Sequence, residues 1–148
     1  MPPFPPREFH TLALWLVGQK TDEASLRTAI SRLYYACHLL AKHSLIEKRK
    51  WTPSGRGDDH SGVIRELRRG KTTGLGNYLD SLRTLREHAD YHVDASVPGA
   101  ENCNVCKKMR ESGSPPPQYV NIEHWNNAKG ISARYLSAQN RCPSSLVS

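Results

Sequence analysis

One pattern constrains this 148-residue chain more than any other feature. Leu26, Ile30, Leu33, Cys37 and Leu40 step by three or four residues, with Ala29, Ala36 and Ala41 as small neighbours. Side chains at that spacing form one stripe of an α-helix, and the alanines let a second helix come close. Thr21 is the expected N-cap, with Asp22 and Glu23 in the first turn, where carboxylates meet the positive end of the helix dipole. The helix is predicted to run to about Ile46 or Glu47, and Cys37 within it reads as a small core residue. No segment alternates with period two over a useful length, so the fold is predicted to be all-α, a bundle of four or five helices in an up-and-down-like arrangement.

The remaining helices follow from the same spacing. Phe9, Leu12, Ala13 and Leu16 predict a first helix over about 7–19, stopped by Gly18, Gln19 and Lys20. The proline-rich tail at 1–6 cannot nucleate a helix. Residues 48–59, with Trp51, Pro53, Gly55 and Gly57, read as a loop. Asp58 or Asp59 then caps a third helix through Val63, Ile64 and Leu67 to about Gly70, with Arg65, Arg68 and Arg69 on its outer side. After a turn at 71–76, Leu75, Tyr78, Leu79, Leu82, Leu85 and Ala89 predict a fourth helix. Periodicity then disappears over 94–118, a long loop before the last helix, which Asn121 caps and Trp125, Ile131, Tyr135 and Leu136 mark. Gly130 weakens that helix by about 1 kcal/mol relative to alanine. The chain is expected to fray over 141–148, and 1–148 reads as a single domain.

The net charge of +7 is concentrated: residues 42–71 carry nine Lys or Arg against four Asp or Glu. A basic belt of this kind suits a polyanion such as RNA, and equally a solvated face. No apolar run approaches the roughly 18 residues that span a bilayer, and the first residues, Met-Pro-Pro-Phe-Pro-Pro, lack the basic and apolar regions of a secretion signal. A cytoplasmic protein without membrane contact is expected. Four cysteines do not read as a disulfide scaffold. Cys103-x-x-Cys106 could begin a zinc site with Cys142 and His124, but a lone CxxC is a weak signal for an ion needing four ligands.

The densest chemistry lies at 82–93, LRTLREHADYHV, where Arg83, Arg86, Glu87, His88, Asp90, Tyr91 and His92 crowd the end of the fourth helix. Arginine holds phosphate charge in a fixed fork, and histidine moves protons near neutral pH. Arg86 and His92 are six residues apart, about 240° around a helix, so on one straight helix they do not converge. Either the helix ends near Tyr91 and His92 turns back, or a two-fold dimer brings equivalent helix ends together. Asp90 and Glu87 stand four residues after Arg86 and Arg83, the spacing of helix-face ion pairs that orient the arginines. On the second helix, Arg32, Tyr35 and His38 share a different side from the apolar stripe and can look into a polar site; the alternative places Tyr34 and Tyr35 in the core and His38 on the surface.

Ser31-Arg32-Leu33-Tyr34-Tyr35-Ala36, His60-Ser61-Gly62-Val63-Ile64 and Leu82-Arg83-x-x-Arg86-Glu87-x-Ala89-Asp90-Tyr91 together resemble the HEPN superfamily, in its small prokaryotic branch with an RxxADY signature. The resemblance covers about residues 7–93. It implies a dimerising helical bundle and, in many members, a metal-independent ribonuclease of toxin-antitoxin or antiviral defence systems, with no cofactor. The family's Arg and His pair falls on Arg86 and His92, with Arg83 and His88 as a second match; Glu87 stands where active members more often carry Asn, Asp or His. The resemblance also implies non-catalytic dimers that bind RNA or nucleotide, and interaction modules of larger complexes. In related toxins a cognate nucleotidyltransferase modifies a nearby tyrosine, although their His-x-Tyr spacing is absent around Tyr91.

Overall fold

A computed structural model describes residues 4–92, 107 and 120–141. Five α-helices pack among the described residues, and none of these residues lies in a strand: α1 (Arg7–Gln19), α2 (Glu23–Glu47), α3 (Asp59–Leu67), α4 (Thr73–Tyr91) and α5 (Ile122–Arg141), with a 3-10 turn at Gly70–Thr72. The predicted helical bundle is therefore observed. The loop at 94–118, Cys103, Cys106 and Cys142 lie outside the described residues, apart from the single position 107.

The apolar stripe of α2 explains the arrangement. Leu26, Ala29, Ile30, Leu33, Ala36, Cys37 and Ala41 are all buried, and α2 packs against α1, α3, α4 and α5. Burial pushes the Cys37 thiol up to about 12, so it behaves as a small apolar side chain. Leu75, Leu79, Leu82, Leu85 and Ala89 form the buried stripe of α4, and Val120, just before α5, with Trp125, Ala128, Ile131 and Tyr135 of α5 closes the core. Where α3 crosses α4, Gly76 has no side chain to keep them apart: a Cβ there would stand 2.8 Å from Arg68 Cγ and 3.2 Å from the Ile64 carbonyl. No helix among the described residues is long and apolar enough to cross a membrane.

Several helix ends differ from the sequence reading. Asp22, not Thr21, caps α2: its Oδ1 accepts from the Ser25 N–H and its Oδ2 from the Ser25 hydroxyl, both at 2.9 Å. Asp58 precedes α3 without a side-chain cap, because Asp58 and Asp59 instead accept from Ser54. α3 stops at Leu67, and most of the expected turn at 71–76 belongs to the 3-10 turn and the start of α4. On α1, Leu12 is 46% exposed because the helix turns Ala13 into the core instead. Asn121 does cap α5, its Oδ1 accepting from the Glu123 and His124 N–H groups at 3.0 and 3.2 Å.

The end of α2 carries a strained turn. Lys50 N–H donates to Leu45 O and Arg49 N–H to Ile46 O, the paired bonds of a Schellman C-cap, with Arg49 at φ 56°. A side chain at that φ costs about 1 kcal/mol that glycine does not. Arg49→Gly is expected to raise stability by about 1 kcal/mol in urea denaturation, less what the freer unfolded chain takes back.

Candidate functional site

Arg86 organises the site and is itself 5% exposed. Its guanidinium carbon lies 5.2, 5.7 and 5.5 Å from the ring centroids of Tyr34, Tyr35 and Tyr91. Its Nη1 donates to the Tyr91 hydroxyl at 3.3 Å and lies 3.7 Å from Asp90 Oδ2, while Nε has no hydrogen-bond partner among the described residues. Burial works against this charge, but Tyr35, Tyr34 and Tyr91 together hold the Arg86 pKa above its ordinary value. A ring face attracts a cation most where water is excluded, so the three tyrosines compensate part of the lost hydration.

The network extends to α2. Asp90 accepts from the Ser31 hydroxyl at 3.1 Å, Ser31 accepts from Arg32 Nη2 at 3.3 Å, and Arg32 lies over the rings of Tyr35 and Phe9 at 4.9 and 5.0 Å. The Tyr35 ring thus stands between two guanidinium groups. Arg32, Tyr35, Arg86, Asp90 and Tyr91, five candidates from the sequence, belong to one connected group.

α3 brings in an imidazole that the sequence reading used only as part of a motif. The Tyr34 hydroxyl lies 2.6 Å from His60 Nδ1, and the His60 and His38 rings are 4.4 Å apart. Burial pushes the Tyr34 hydroxyl pKa well up, so it keeps its proton and needs an acceptor. Burial, then the charges of Arg86 and Arg83, hold His60 below 6.5, so its ring is neutral at pH 7. Tyr34 therefore donates to Nδ1, which leaves the imidazole proton on Nε2. His38 is buried against Tyr34 and is not the surface residue of the alternative reading; burial, then His60, push its pKa down to about 3.

Arg83 borders this group on the next turn. Its Nε donates to Glu87 Oε1 at 3.0 Å and its Nη1 to the Ser61 hydroxyl at 2.8 Å, so the predicted Arg83–Glu87 pair forms and ties α4 to α3. Beyond it lies an open hollow of about 350 Å³ lined by Ser61, Ile64, Arg65, Arg68, Asp80 and Arg83.

His88 and His92 lie elsewhere. His88 follows Arg86 by two residues, about 200° around the helix. Its ring is 5.5 Å from His92 and 5.7 Å from His124 of α5. α4 ends at Tyr91 and His92 is its C-cap. Arg27 clamps this end: Nη1 donates to the carbonyls of His88 and Ala89 at 3.2 and 2.8 Å, and Nη2 to that of His92 at 3.3 Å. Within one chain, then, Arg86 is grouped with His60 and His38, and His92 with His88 and His124. Among the described residues no three His, Cys, Asp or Glu side chains stand together as metal ligands, and His124 Nδ1 already accepts from the Asn121 N–H at 3.1 Å.

Chemically, the face offers a fixed hydrogen-bond donor at His60 Nε2, a part-exposed guanidinium at Arg83, and the ring of Tyr91, which is 57% exposed. These groups can bind a phosphate and stack on a base. The sequence reading missed the roles of Tyr34, His60 and Ser61; the one available signal was that all three lie in the motif segments. No family model, no curated protein and no solved structure matches the chain.

Four histidines, His10, His38, His60 and His124, are held below the ordinary value chiefly by burial, and they make stability depend on pH. Below 6.5 the unfolded chain takes up protons that the folded chain refuses, so this stability is complete above that value and falls below it; the part carried by His38 is lost as pH falls toward about 3. Urea denaturation is expected to show stability falling from pH 6.5 to pH 5, with His38→Leu flattening the slope toward about 1.4 kcal/mol per pH unit less.

Proposed function

We propose that this protein is an HEPN-like endoribonuclease that works as a homodimer, without a metal or other cofactor, in a toxin-antitoxin or antiviral defence setting. The observation that carries the reading is the grouping of Arg86, Asp90, Tyr91, Tyr35, Tyr34 and His60 on one face, since these residues come from the three segments that resemble that superfamily. Strand scission proceeds by transesterification: an imidazole takes the proton of a ribose 2′-OH, the oxygen attacks the adjacent phosphorus, and an acid protonates the departing 5′-oxygen. The product ends are a 2′,3′-cyclic phosphate and a 5′-hydroxyl.

In this scheme Arg86 is a positioning residue. Its tyrosine contacts fix Tyr91 and, through Tyr34, His60, while Arg83 provides the guanidinium that meets phosphate. His60 can serve as the base only when Tyr34 shifts its own proton elsewhere and Nδ1 keeps the imidazole hydrogen; as the neutral Nε2–H form it serves as a hydrogen-bond donor to phosphate. His92 joins the Arg86 face only from a second copy of the chain, which is the reason for the dimer. The cytoplasm, and a cognate nucleotidyltransferase-type or other defence partner, belong to the same reading.

A second reading, RNA or nucleotide binding without cleavage, is favoured by one observation: at 5% exposure the Arg86 guanidinium is turned toward protein, not solvent. Incubating the protein with total RNA in EDTA separates the two. The expected result is RNA with cyclic-phosphate ends, a loss of about 100-fold or more in rate for His60→Ala or His92→Ala, and a dimer by light scattering. Intact RNA at protein concentrations that bind it leaves only the second reading.

A further inference from the structure

We infer that the hollow between α3 and α4 is a phosphate-binding subsite, one that receives a phosphate group of the strand held at the neighbouring Arg86 face. The inference rests on the RNA reading for the identity of the strand, but the site follows from its own lining. Three arginines, Arg65, Arg68 and Arg83, face one carboxylate, Asp80, across about 350 Å³. That volume is at the small end of ligand sites and is ample for a phosphate with part of its sugar.

The arginines are held with donors to spare. Arg68 donates from Nε to Asn77 Oδ1 at 3.0 Å and from Nη2 to Asp80 Oδ2 at 3.0 Å. Arg83 is fixed by Glu87 and Ser61 in the same way. Nη1 of Arg68 and Nη2 of Arg83 therefore keep no partner among the described residues, and Arg65 forms no ion pair there. A guanidinium already immobilised by one side of its fork loses little freedom when the other side meets an anion. Asp80 and Glu87 here orient the arginines, and the lining still carries two more positive charges than negative.

Position supports the assignment as well. Ser61 follows His60 in sequence, accepts from Arg83 and lines the hollow, so the hollow adjoins the segment that carries His60. The close crossing at Gly76 is what places Arg65 and Arg68 of the α3 side against Asp80 and Arg83 of α4. The shared ligand chemistry is a phosphate group, and its source is either an RNA backbone or a free phosphate compound.

Two titrations test this. In amide and side-chain NMR spectra, inorganic phosphate is expected to shift Ser61, Arg65, Arg68 and Arg83, and Arg65→Ala is expected to abolish those shifts. In fluorescence anisotropy with a single-stranded RNA, Arg65→Ala is expected to make the slope of log affinity against log salt shallower by about 0.7, which is about fivefold in affinity at 0.1 M relative to 1 M salt. Arg65→Lys is expected to restore most of the slope, which a merely structural role would not require. Phosphate shifts in a protein that fails to bind RNA would support the subsite with a free phosphate compound as its ligand and would overturn the RNA reading alone. RNA binding with an unaltered salt slope in Arg65→Ala, and no phosphate shifts up to tens of millimolar, would overturn the subsite and leave the RNA reading standing.

Discussion

A buried guanidinium is costly unless its surroundings replace water, and the region around α4 is built to meet that requirement at Arg86. Asp90 gives the opposite charge one turn on, and Tyr34, Tyr35 and Tyr91 give ring faces on three sides. Two of those rings belong to α2, so the cation can be satisfied only when α2 and α4 are in register. Ser31, which donates to Asp90, repeats the same coupling one layer away. The arrangement makes Arg86 a cross-brace between helices as much as a site residue.

The last turn of α4 is held from its other side as well. Arg27 of α2 donates to three carbonyls at the helix end, where a cation also meets the negative end of the helix dipole. With Arg86 braced on one side and Arg27 on the other, Tyr91 and His92 have fixed directions although they sit at a helix terminus. α3 then contributes His60 through its bond to Tyr34, which keeps a neutral imidazole next to two arginines. The same burial that prepares these side chains opposes protonation of His38 and His60, so preparing the site and holding the fold at low pH work against one another.

Much of this architecture was legible in the sequence because it depends on local spacing. The stripe from Leu26 to Ala41 marked α2, expected to run to about Ile46 or Glu47 and observed to end at Glu47, and Asn121 marked the start of α5. The i to i+4 pairs of Arg86 with Asp90 and Arg83 with Glu87 follow from helix geometry alone. What spacing could not show was which side chains meet across helices. His60 is 26 residues from Tyr34, and only the packing of α3 on α2 brings them to 2.6 Å. Nor could it show how deeply each face is buried: Arg86 looked like a guanidinium open to phosphate, and Leu12 like a core residue. Thr21 lost the capping role to Asp22 because two residues of similar cap preference stand side by side.

Arg86 is enclosed by tyrosines and sets the positions of the groups around it. The Arg86 Nε–H resonance reports this directly, since Nε is buried and has no hydrogen-bond partner among the described residues. An enclosed Arg86 gives a side-chain signal that exchanges slowly with water, displaced by the ring currents of Tyr34, Tyr35 and Tyr91, and unmoved by salt. A signal that exchanges as fast as those of surface arginines, at an ordinary chemical shift, would contradict that enclosure.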